Sequence, residues 1–337
     1  MRLLITGGCG FIGSNFIRAA LKQHADWSVV NLDALTYAGN ERNLRDVEGD
    51  TRYRFVHGDI CDPADVRSSL GEGVHAIVNF AAETHVDRSI TSPEAFLRTD
   101  VLGTHVLLEA ARECKVGRFV QVSTDEVYGS VPHGRTPEGA PLAPRSPYAA
   151  SKAGADLLVL AYVETYALPA IITRGSNTYG PYQHPEKLVP LFVTNLIDRR
   201  PVPLYGDGLH EREWLHVDDH CSAIEHALLH GVRGEVYNVG PHAGCTNLEM
   251  TQRLLALLGL DAGPYVRRVP DRPGHDRRYA LDCSKLLALG WSPRVELASG
   301  LAQTVAWYRA NETWWRPIVE GEFASYYRRQ YSTLESQ

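Results

Sequence analysis

The sequence predicts an α/β protein: a doubly wound parallel sheet with a smaller, mostly C-terminal α+β half. Three observations carry this. Short apolar runs alternate with helix-length amphipathic stretches through the first half of the chain, the pattern of strands buried on both faces and of the helices that cover them. The first apolar run ends in a cluster of glycines that opens a helix, and the second ends in an acid. From Gly175 onward the composition turns polar, aromatic and Pro-rich.

Taken in order, Arg2–Thr6 is a strand, followed at once by Gly7-Gly8-Cys9-Gly10-Phe11-Ile12-Gly13. Gly8, Gly10 and Gly13 make G-x-G-x-x-G; Gly7, Gly10 and Gly13 make a second regular spacing. Glycines permit a tight turn and close approach of the backbone to a pyrophosphate, and the helix from about Phe11 to His24 offers that phosphate its N-terminal amides. Strand before and helix after make this a Rossmann dinucleotide loop rather than a chance glycine pattern. Val29–Asp33 is the second strand. Asp33 stands 20 residues after Gly13, where a carboxylate binds the adenosine ribose and repels a 2′-phosphate, so NAD is expected over NADP; the plainer reading is a turn cap. Leu35 to Asp50 reads as a loop or short helix over the cofactor. Tyr53–Val56 is a third strand, closed by Gly58-Asp59-Ile60. Asp59 suits the adenine amino group and Ile60 its ring, although a plain turn Asp fits Asp59 as well.

His75–Phe80 is a fourth strand. Ala81 at its end lets a cofactor lie close, and the polar run behind it, Glu83 to Arg88, suits a pocket wall. Phe96 to Cys114 is predicted as one long helix with Val101, Val106, Leu107, Ala110 and Ala111 as its apolar stripe. Arg118–Val122 is the central strand and runs into Thr124-Asp125-Glu126. In open α/β sheets chemistry sits at the carboxyl ends of strands. Tyr148 and Lys152, at i,i+4 on a helix continuing to Tyr166, share one face. Thr124, Asp125, Glu126, Tyr148 and Lys152 are therefore read as one active site; a helix cap or solvated turn is the bland alternative for the Thr-Asp-Glu run. Gly129 to Pro147 is a loop between the halves of that site, and Ala170–Arg174 a further strand.

The second half holds Asn177 to Leu188, Leu204 to Gly208, Glu211 to Asp219, and the arginine- and His-bearing stretch Pro270 to Tyr279. Arginine forks suit a diphosphate and Tyr205 suits a base, while each arginine alone reads equally as a solvated loop. Val236–Val239 looks like one more sheet strand, so the halves interleave: residues 1–174 form the cofactor-binding domain, a segment near 215–240 returns to it, and residues 175–337 mainly bind substrate. Trp307, Trp314 and Trp315 read as packing residues.

A formal charge of −6 argues against nucleic acid or anionic membrane as the partner. Six scattered Cys without a C-x-x-C pair read as free thiols of a reducing cytoplasm. The 14 His show no H-E-x-x-H spacing, so no metal is expected. The apolar run at the N-terminus is too short for a signal peptide, and no run approaches the ~20 residues that cross a bilayer.

The chain resembles the extended short-chain dehydrogenase/reductase family throughout and, within it, the dTDP-glucose 4,6-dehydratases over nearly its whole length. The carrying residues are Thr6 to Gly13, Leu35 to Asn40, His85 to Ser89, Ser123 to Gly129, Tyr148 with Lys152, Tyr179 to Leu188, Arg212 to Val217 and Asp271 to Tyr279. Departures are mild: Thr84 stands where the family often has Ser, Thr178 where a second Asn is common, and Glu213 where Asp is common. The resemblance implies C4 oxidation, loss of water across C5 and C6, and return of hydride to C6, with NAD regenerated each turnover. It implies Tyr148 as the base for the C4 hydroxyl, Lys152 as its electrostatic partner, Thr124 as its orienter, Glu126 as the C5 base and Asp125 as the C6 acid. Gly7, Gly10, Phe11, Ile12, Gly13, Asp33, Asp59, Ile60, Ala81, Tyr148 and Lys152 would hold NAD. Thr84, Asn177, Lys187, Leu188, Pro203, Tyr205, Arg212, Asn247, Arg272 and His275 would hold dTDP-glucose. A homodimer built on the Tyr148 helix and the long helix before it is implied too. The rivals are a sugar-nucleotide 4-epimerase or decarboxylating synthase, and a non-catalytic NAD-binding regulator. An epimerase needs neither a C5 base nor a C6 acid, so the Asp125–Glu126 pair discriminates.

Overall fold

The computed structural model describes residues 1–71 and 73–331. Strands β1 (Arg2–Thr6), β2 (Ser28–Asp33), β3 (Tyr53–His57), β4 (Ala76–Asn79), β5 (Arg118–Thr124) and β6 (Ala170–Gly175) come from the first half of the chain. The small strands β7 (Asn177–Tyr179), β8 (Val202–Tyr205) and β9 (Glu211–His216) follow, then β10 (Val236–Val239), β11 (Gly244–Thr246) and β12 (Val266–Val269). One sheet has the order β10-β6-β5-β4-β1-β2-β3, every neighbouring pair parallel. The strand returning beside β6, with Val236 opposite Ile172, is the one expected from Val236–Val239. Two smaller sheets, β11-β9-β7 and β12-β8, complete the second half.

The apolar runs became central strands because both of their faces are covered. Leu3, Leu4 and Ile5 are each fully buried. Leu3 and Ile5 pack with Phe16, Ile17 and Ile224 on one face, and Leu4 with Val66, Leu107 and Val159 on the other, as the two-residue period of a strand requires. The first face is covered by the helices Phe11–Gln23 and Val217–His230. The second is covered by Pro63–Leu70, Thr104–Glu113 and Pro147–Tyr166. The second half has its own core around Phe192, Leu254, Tyr308, Trp314 and Trp315, so the tryptophans pack as expected.

The predicted helix over Phe96 to Cys114 is not one regular helix. A turn at Pro93–Phe96 runs into a π-helical stretch, Leu97–Gly103, and only then into α-helix from Thr104. The wide turn carries a buried carboxyl. Asp100 is 1 % exposed and accepts from Ser151 Oγ at 2.6 Å and from the Glu83 amide at 3.1 Å. A β-carbon on Gly103 would come within 2.4 Å of Ile60. Single widened turns of this kind sit frequently at functional sites.

The helix carrying Tyr148 is well bounded. Ser146 caps it by accepting the Ala149 amide at 3.1 Å, Pro147 takes its first position, and Ala167 ends it in the left-handed region at φ 53°. Leu35 to Asp50 contains one short 3₁₀ turn, Glu41–Leu44.

Candidate active site

One continuous cleft runs across the carboxyl ends of the sheet strands and is lined by every residue named above for catalysis, cofactor and substrate. Its floor begins at the glycine loop. Gly7 has φ 66°, and a β-carbon there would lie 2.6 Å from the Ala81 amide nitrogen; on Gly13 it would lie 2.5 Å from the Gly7 carbonyl. The loop is thus packed where only glycine fits, against the end of β4 and the first turn of the helix. That helix has no side-chain cap at Gly10, so its first-turn N–H groups remain available for an anion. Asp33, at the end of β2, accepts from the amides of Cys9 and Leu35, both at 2.8 Å. Burial pushes its carboxyl up against those two bonds. The turn-cap reading and the cleft reading therefore both hold for Asp33. The same is true of Asp59, which accepts the Cys61 amide at 2.8 Å, pairs with Arg98 at 3.3 Å and still lines the cleft beside Ile60. The glycine cradle, the uncapped helix and the carboxylate together fit a dinucleotide.

The catalytic candidates meet above this floor. Thr124 closes β5 and accepts the Glu126 amide at 3.2 Å, capping the short turn Asp125–Tyr128. The bland reading of the Thr-Asp-Glu run is thus also correct locally, yet the cap leaves both carboxyls in the cleft. Asp125 is 3 % exposed, and its Oδ2 has no partner among the described residues. Burial and then the negative Glu126 push its carboxyl well above the usual range, against Arg212. Glu126 is also pushed up by burial, but Arg272, Lys187 and Arg212 pull it back. Adjacent carboxyls in different surroundings are the arrangement that separates an acid from a base.

Tyr148 and Lys152 are one turn apart, 8 % and 4 % exposed. The expected partnership differs in detail. Lys152 Nζ donates to the Val122 carbonyl at 2.9 Å. The Tyr148 phenol is pushed well up by burial, then by Glu126 and Asp100, with the Thr124 hydroxyl opposing. In the protein alone Tyr148 is therefore a neutral phenol, because burial and two carboxyls outweigh its neighbours.

Substrate candidates come from the second half. Lys187 precedes the helix Leu188–Ile197 and donates to the Thr84 carbonyl; burial lowers its ammonium against Glu186 and Glu126. Pro203 and Tyr205 lie on β8, Asn177 on β7, and Asn247 opens the helix Asn247–Leu258 with its Oδ1 buried and unpartnered among the described residues. Arg212 on β9 is fixed by the carbonyls of Glu211 at 2.8 Å and Asp276 at 2.7 Å, with its guanidinium 4.3 Å over the Tyr279 ring. Arg272 pairs with Asp87 at 3.3 Å and has a buried, unpartnered Nε among the described residues. These arginines are built into the cleft and are not solvated loop residues. Of the departures, Thr178 donates or accepts at His220 Nδ1 (2.7 Å) and Glu213 pairs with Arg135 at 2.8 Å.

His275 bonds Asp271 at 2.6 Å and stacks on His210, ring centroids 3.7 Å apart and 14° from parallel. Three such donors resemble a metal site, but an imidazole binds a cation close to its ring plane. Two nearly parallel, stacked planes share no such point, so this group does not fit one ion. Burial, then Arg272, pushes His275 down to about 3.

Sequence reading missed several cleft residues. Glu83 is pushed up to about 7 by burial and then by Asp100. Burial pushes the Glu186 carboxyl up, but His85, His184, Lys187 and Arg88 outweigh it and hold the group below its usual range. Asp87 holds Arg272 and accepts from Tyr205 at 3.2 Å. Glu83 and Asp87 lie in the polar run after β4 already read as pocket wall, so their types alone could have singled them out. Tyr331 also lines the cleft; no motif marks it in the sequence.

A profile of the family described as GDP-mannose 4,6 dehydratase matches residues 4–304. A dTDP-glucose 4,6-dehydratase of Streptomyces niveus is 54% identical over 96% of this chain and 98% of its own. The chain belongs to the dTDP-glucose 4,6-dehydratase family. Among solved structures, DesIV from Streptomyces venezuelae, a dTDP-glucose 4,6-dehydratase with NAD and TYD bound, is 55% identical with a TM-score of 0.92, covering 94% of this chain and 100% of that one. A UDP-glucose 4-epimerase from Thermus thermophilus, in complex with NAD, is similar at 33% identity and a TM-score of 0.85, covering 92% and 100%. The fold is thus shared by dehydratases and epimerases, and both of these solved relatives hold NAD.

Proposed function

We propose that the cleft dehydrates dTDP-glucose to the 4-keto-6-deoxy sugar by dividing the work among five side chains. The observation that carries this is the adjacent buried pair at the end of β5: burial and Glu126 push the Asp125 carboxyl well up, while the rise that burial gives Glu126 is opposed by Arg272, Lys187 and Arg212. A bound NAD would supply the hydride acceptor for C4 and the hydride donor for C6. Tyr148, assisted by Thr124 and Lys152, accepts the C4 hydroxyl proton. The resulting ketone acidifies the C5 proton, which Glu126 removes. Asp125 donates its proton to the C6 hydroxyl, which leaves as water. Glu126 then returns a proton to C5 as C6 receives the hydride. Tyr148 is a neutral phenol in the protein alone, so it must first release its own proton to solvent, an ionisation that the positive charge of a bound nicotinamide would favour.

Gly7, Gly10, Phe11, Ile12, Gly13, Asp33, Asp59, Ile60 and Ala81 are read as the NAD seat. Thr84, Asn177, Lys187, Leu188, Pro203, Tyr205, Arg212, Asn247, Arg272 and His275 are read as the nucleotide-sugar seat. On this reading residues 1–174, rejoined near 215–240, carry the cofactor, and 175–337 mainly the substrate. We also read the chain as a cytoplasmic homodimer. Leu97, Leu102 and Leu157 are exposed on the helical stretches that the dimer would bury, the cysteines are free, and no described helix is long and apolar enough to cross a membrane. A product assay across dTDP-, UDP-, CDP- and GDP-glucose, with sedimentation to fix the assembly, tests these assignments. Turnover of UDP-glucose to UDP-galactose without loss of water would favour the epimerase instead.

A further inference from the structure

Asn43 lies on the 3₁₀ turn Glu41–Leu44, is 1 % exposed, and does not line the cleft. Its amide is engaged at both ends. Nδ2 donates to the Cys9 carbonyl, inside the glycine loop, at 2.8 Å. Oδ1 accepts Trp314 Nε1 at 2.9 Å. A carbonyl only accepts and an indole only donates, so the two partners fix which way the amide points. Trp314 belongs to the helix Glu312–Glu320 and sits in the core of the second half. One buried side chain therefore joins the loop under the cofactor to a helix near the other end of the chain.

Neighbouring contacts run the same way. Arg42 Nη2 donates to the Thr313 carbonyl at 2.7 Å, and the Asn40 amide to the Cys9 carbonyl at 3.0 Å. Arg18, on the helix that opens at the glycine loop, donates to the Asn43 carbonyl and lies 4.4 Å over the Tyr182 ring. Tyr182 packs edge-on against Trp314 at 5.8 Å. Thr36, Ala38 and Gly39, just upstream of Asn43, form part of the cleft wall beside Asp33.

We propose that Asn43 and Trp314 are positioning residues for the cofactor: they tie the wall over Asp33 and the glycine loop to the C-terminal helices, and so set how slowly NAD leaves. The chemistry gives this a use. NAD is oxidant and reductant within one turnover, so an enzyme that lost it after the first half would strand an oxidised sugar. The inference rests on the reading of Gly7–Gly13 and Asp33 as the NAD seat.

Two variants cut the link at different points. Trp314→Phe keeps an aromatic ring in the cluster and removes the indole N–H. Asn43→Asp keeps the acceptor for Trp314, removes the donor to Cys9 and sets a carboxylate against its carbonyl. Trp314→Phe leaves Asn43 Oδ1 unpaired, and Asn43→Asp turns an attractive contact with the Cys9 carbonyl into a repulsive one, so NAD should dissociate roughly tenfold faster, the scale of one such bond. Release is read by displacement of bound NAD and by the NAD content after gel filtration. dTDP affinity should stay unchanged, and kcat should return to wild type when NAD is supplied in excess. If both variants release NAD at the wild-type rate, the clamp is wrong. If Trp314→Phe loses dTDP affinity together with NAD, Trp314 is a general packing residue and the clamp is again wrong. Asp33→Ala separates the two readings: rapid NAD release there, with none in the clamp variants, overturns the clamp and leaves the seat standing. Slow release in all three overturns the seat as well.

Discussion

Arg272 Nη1 stands 3.3 Å from Asp87 Oδ1, an arginine from the loop after β12 held by a carboxylate from the segment after β4. Tyr205 donates to the other oxygen of the same carboxylate at 3.2 Å. Asp87 therefore orients Arg272 without consuming it, since its Nε is buried with no partner among the described residues. Arg212 is held differently, by backbone carbonyls and the Tyr279 ring, which neutralise none of its charge. Two guanidiniums kept cationic and fixed in a cleft suit a diphosphate. Charge-assisted bonds contribute roughly 1.5–3 kcal/mol each, so Arg212→Ala or Arg272→Ala should weaken dTDP binding about tenfold or more. Calorimetric titration with dTDP checks this; an unchanged dissociation constant removes the residue from the nucleotide seat.

On the proposed reading, Asp33 sets the choice of dinucleotide. Its carboxylate is anchored by the Cys9 and Leu35 amides, so it cannot swing away from an incoming 2′-phosphate. Direct titration should find tight NAD and poor NADP binding in the wild type, and Asp33→Ala should narrow that gap. Equal wild-type affinities would take Asp33 out of the ribose site.

How much of this was legible in the sequence depended on whether the signal was local. The glycine loop, Asp33 and the Thr124–Glu126 run were legible because each is a short pattern with a strand on one side. Tyr148 and Lys152 were legible because a helix repeats every 3.6 residues. The wide turn at Leu97–Gly103 was not: its Asp100 meets Ser151, about fifty residues away. Nor was the Asn43–Trp314 bond, or the placing of Tyr331 at the cleft. These contacts join distant parts of the chain, and residue types alone carry no record of which distant partner they will meet. The reading that set Lys152 and Tyr148 on one helix face did not foresee that Lys152 donates to the Val122 carbonyl.

Asp100 should leave a mark on the pH dependence of stability. Burial raises its carboxyl to about 6 from an ordinary 3.8, with Lys152 and Ser151 opposing. The folded protein therefore holds this proton more tightly than the unfolded chain. Stability from this group is fully present below about pH 4 and is lost as pH rises through about 6. The loss is about 3 kcal/mol, order of magnitude only. Asp100→Asn removes the titration and keeps an amide oxygen to accept the Glu83 N–H. The variant's unfolding free energy relative to wild type should thus improve by about 3 kcal/mol between pH 4 and pH 8, whatever its constant offset. Urea unfolding at both pH values measures the difference, and parallel curves would show that Asp100 does not titrate in this window.

Tyr148→Phe removes the group read as the oxidising base and nothing else of size. General base catalysis contributes about 10²–10⁴-fold, so turnover should fall by at least that range. The absorbance of reduced cofactor should fail to appear on mixing with dTDP-glucose, because the block precedes oxidation. A reduced-cofactor signal at the wild-type rate would move the C4 base elsewhere in the cleft.

The Asp125–Glu126 pair gives the sharpest test, because it separates steps that Tyr148→Phe abolishes together. Asp125 is nearly sealed from solvent, and burial with Glu126 beside it pushes its carboxyl well above the usual range. Asp125→Asn keeps size and hydrogen bonding but has no acidic proton to give. C4 oxidation, which does not use that proton, should proceed. Loss of water from C6 should slow, and the overall rate should fall by about 10²–10⁴-fold. Reduced cofactor and a 4-keto sugar retaining its C6 oxygen should therefore accumulate on the enzyme, the opposite of the Tyr148→Phe outcome. Glu126→Gln should in addition stop exchange of the C5 proton with deuterated solvent, since the amide cannot accept it. Stopped-flow absorbance and rapid-quench mass spectrometry read both signatures. If Asp125→Asn dehydrates at the wild-type rate, or fails at oxidation as fully as Tyr148→Phe, the two carboxyls are structural and the elimination must draw its acid from another group in the cleft. Glu83, pushed up to about 7 and lining the same wall, would then be the next residue to substitute.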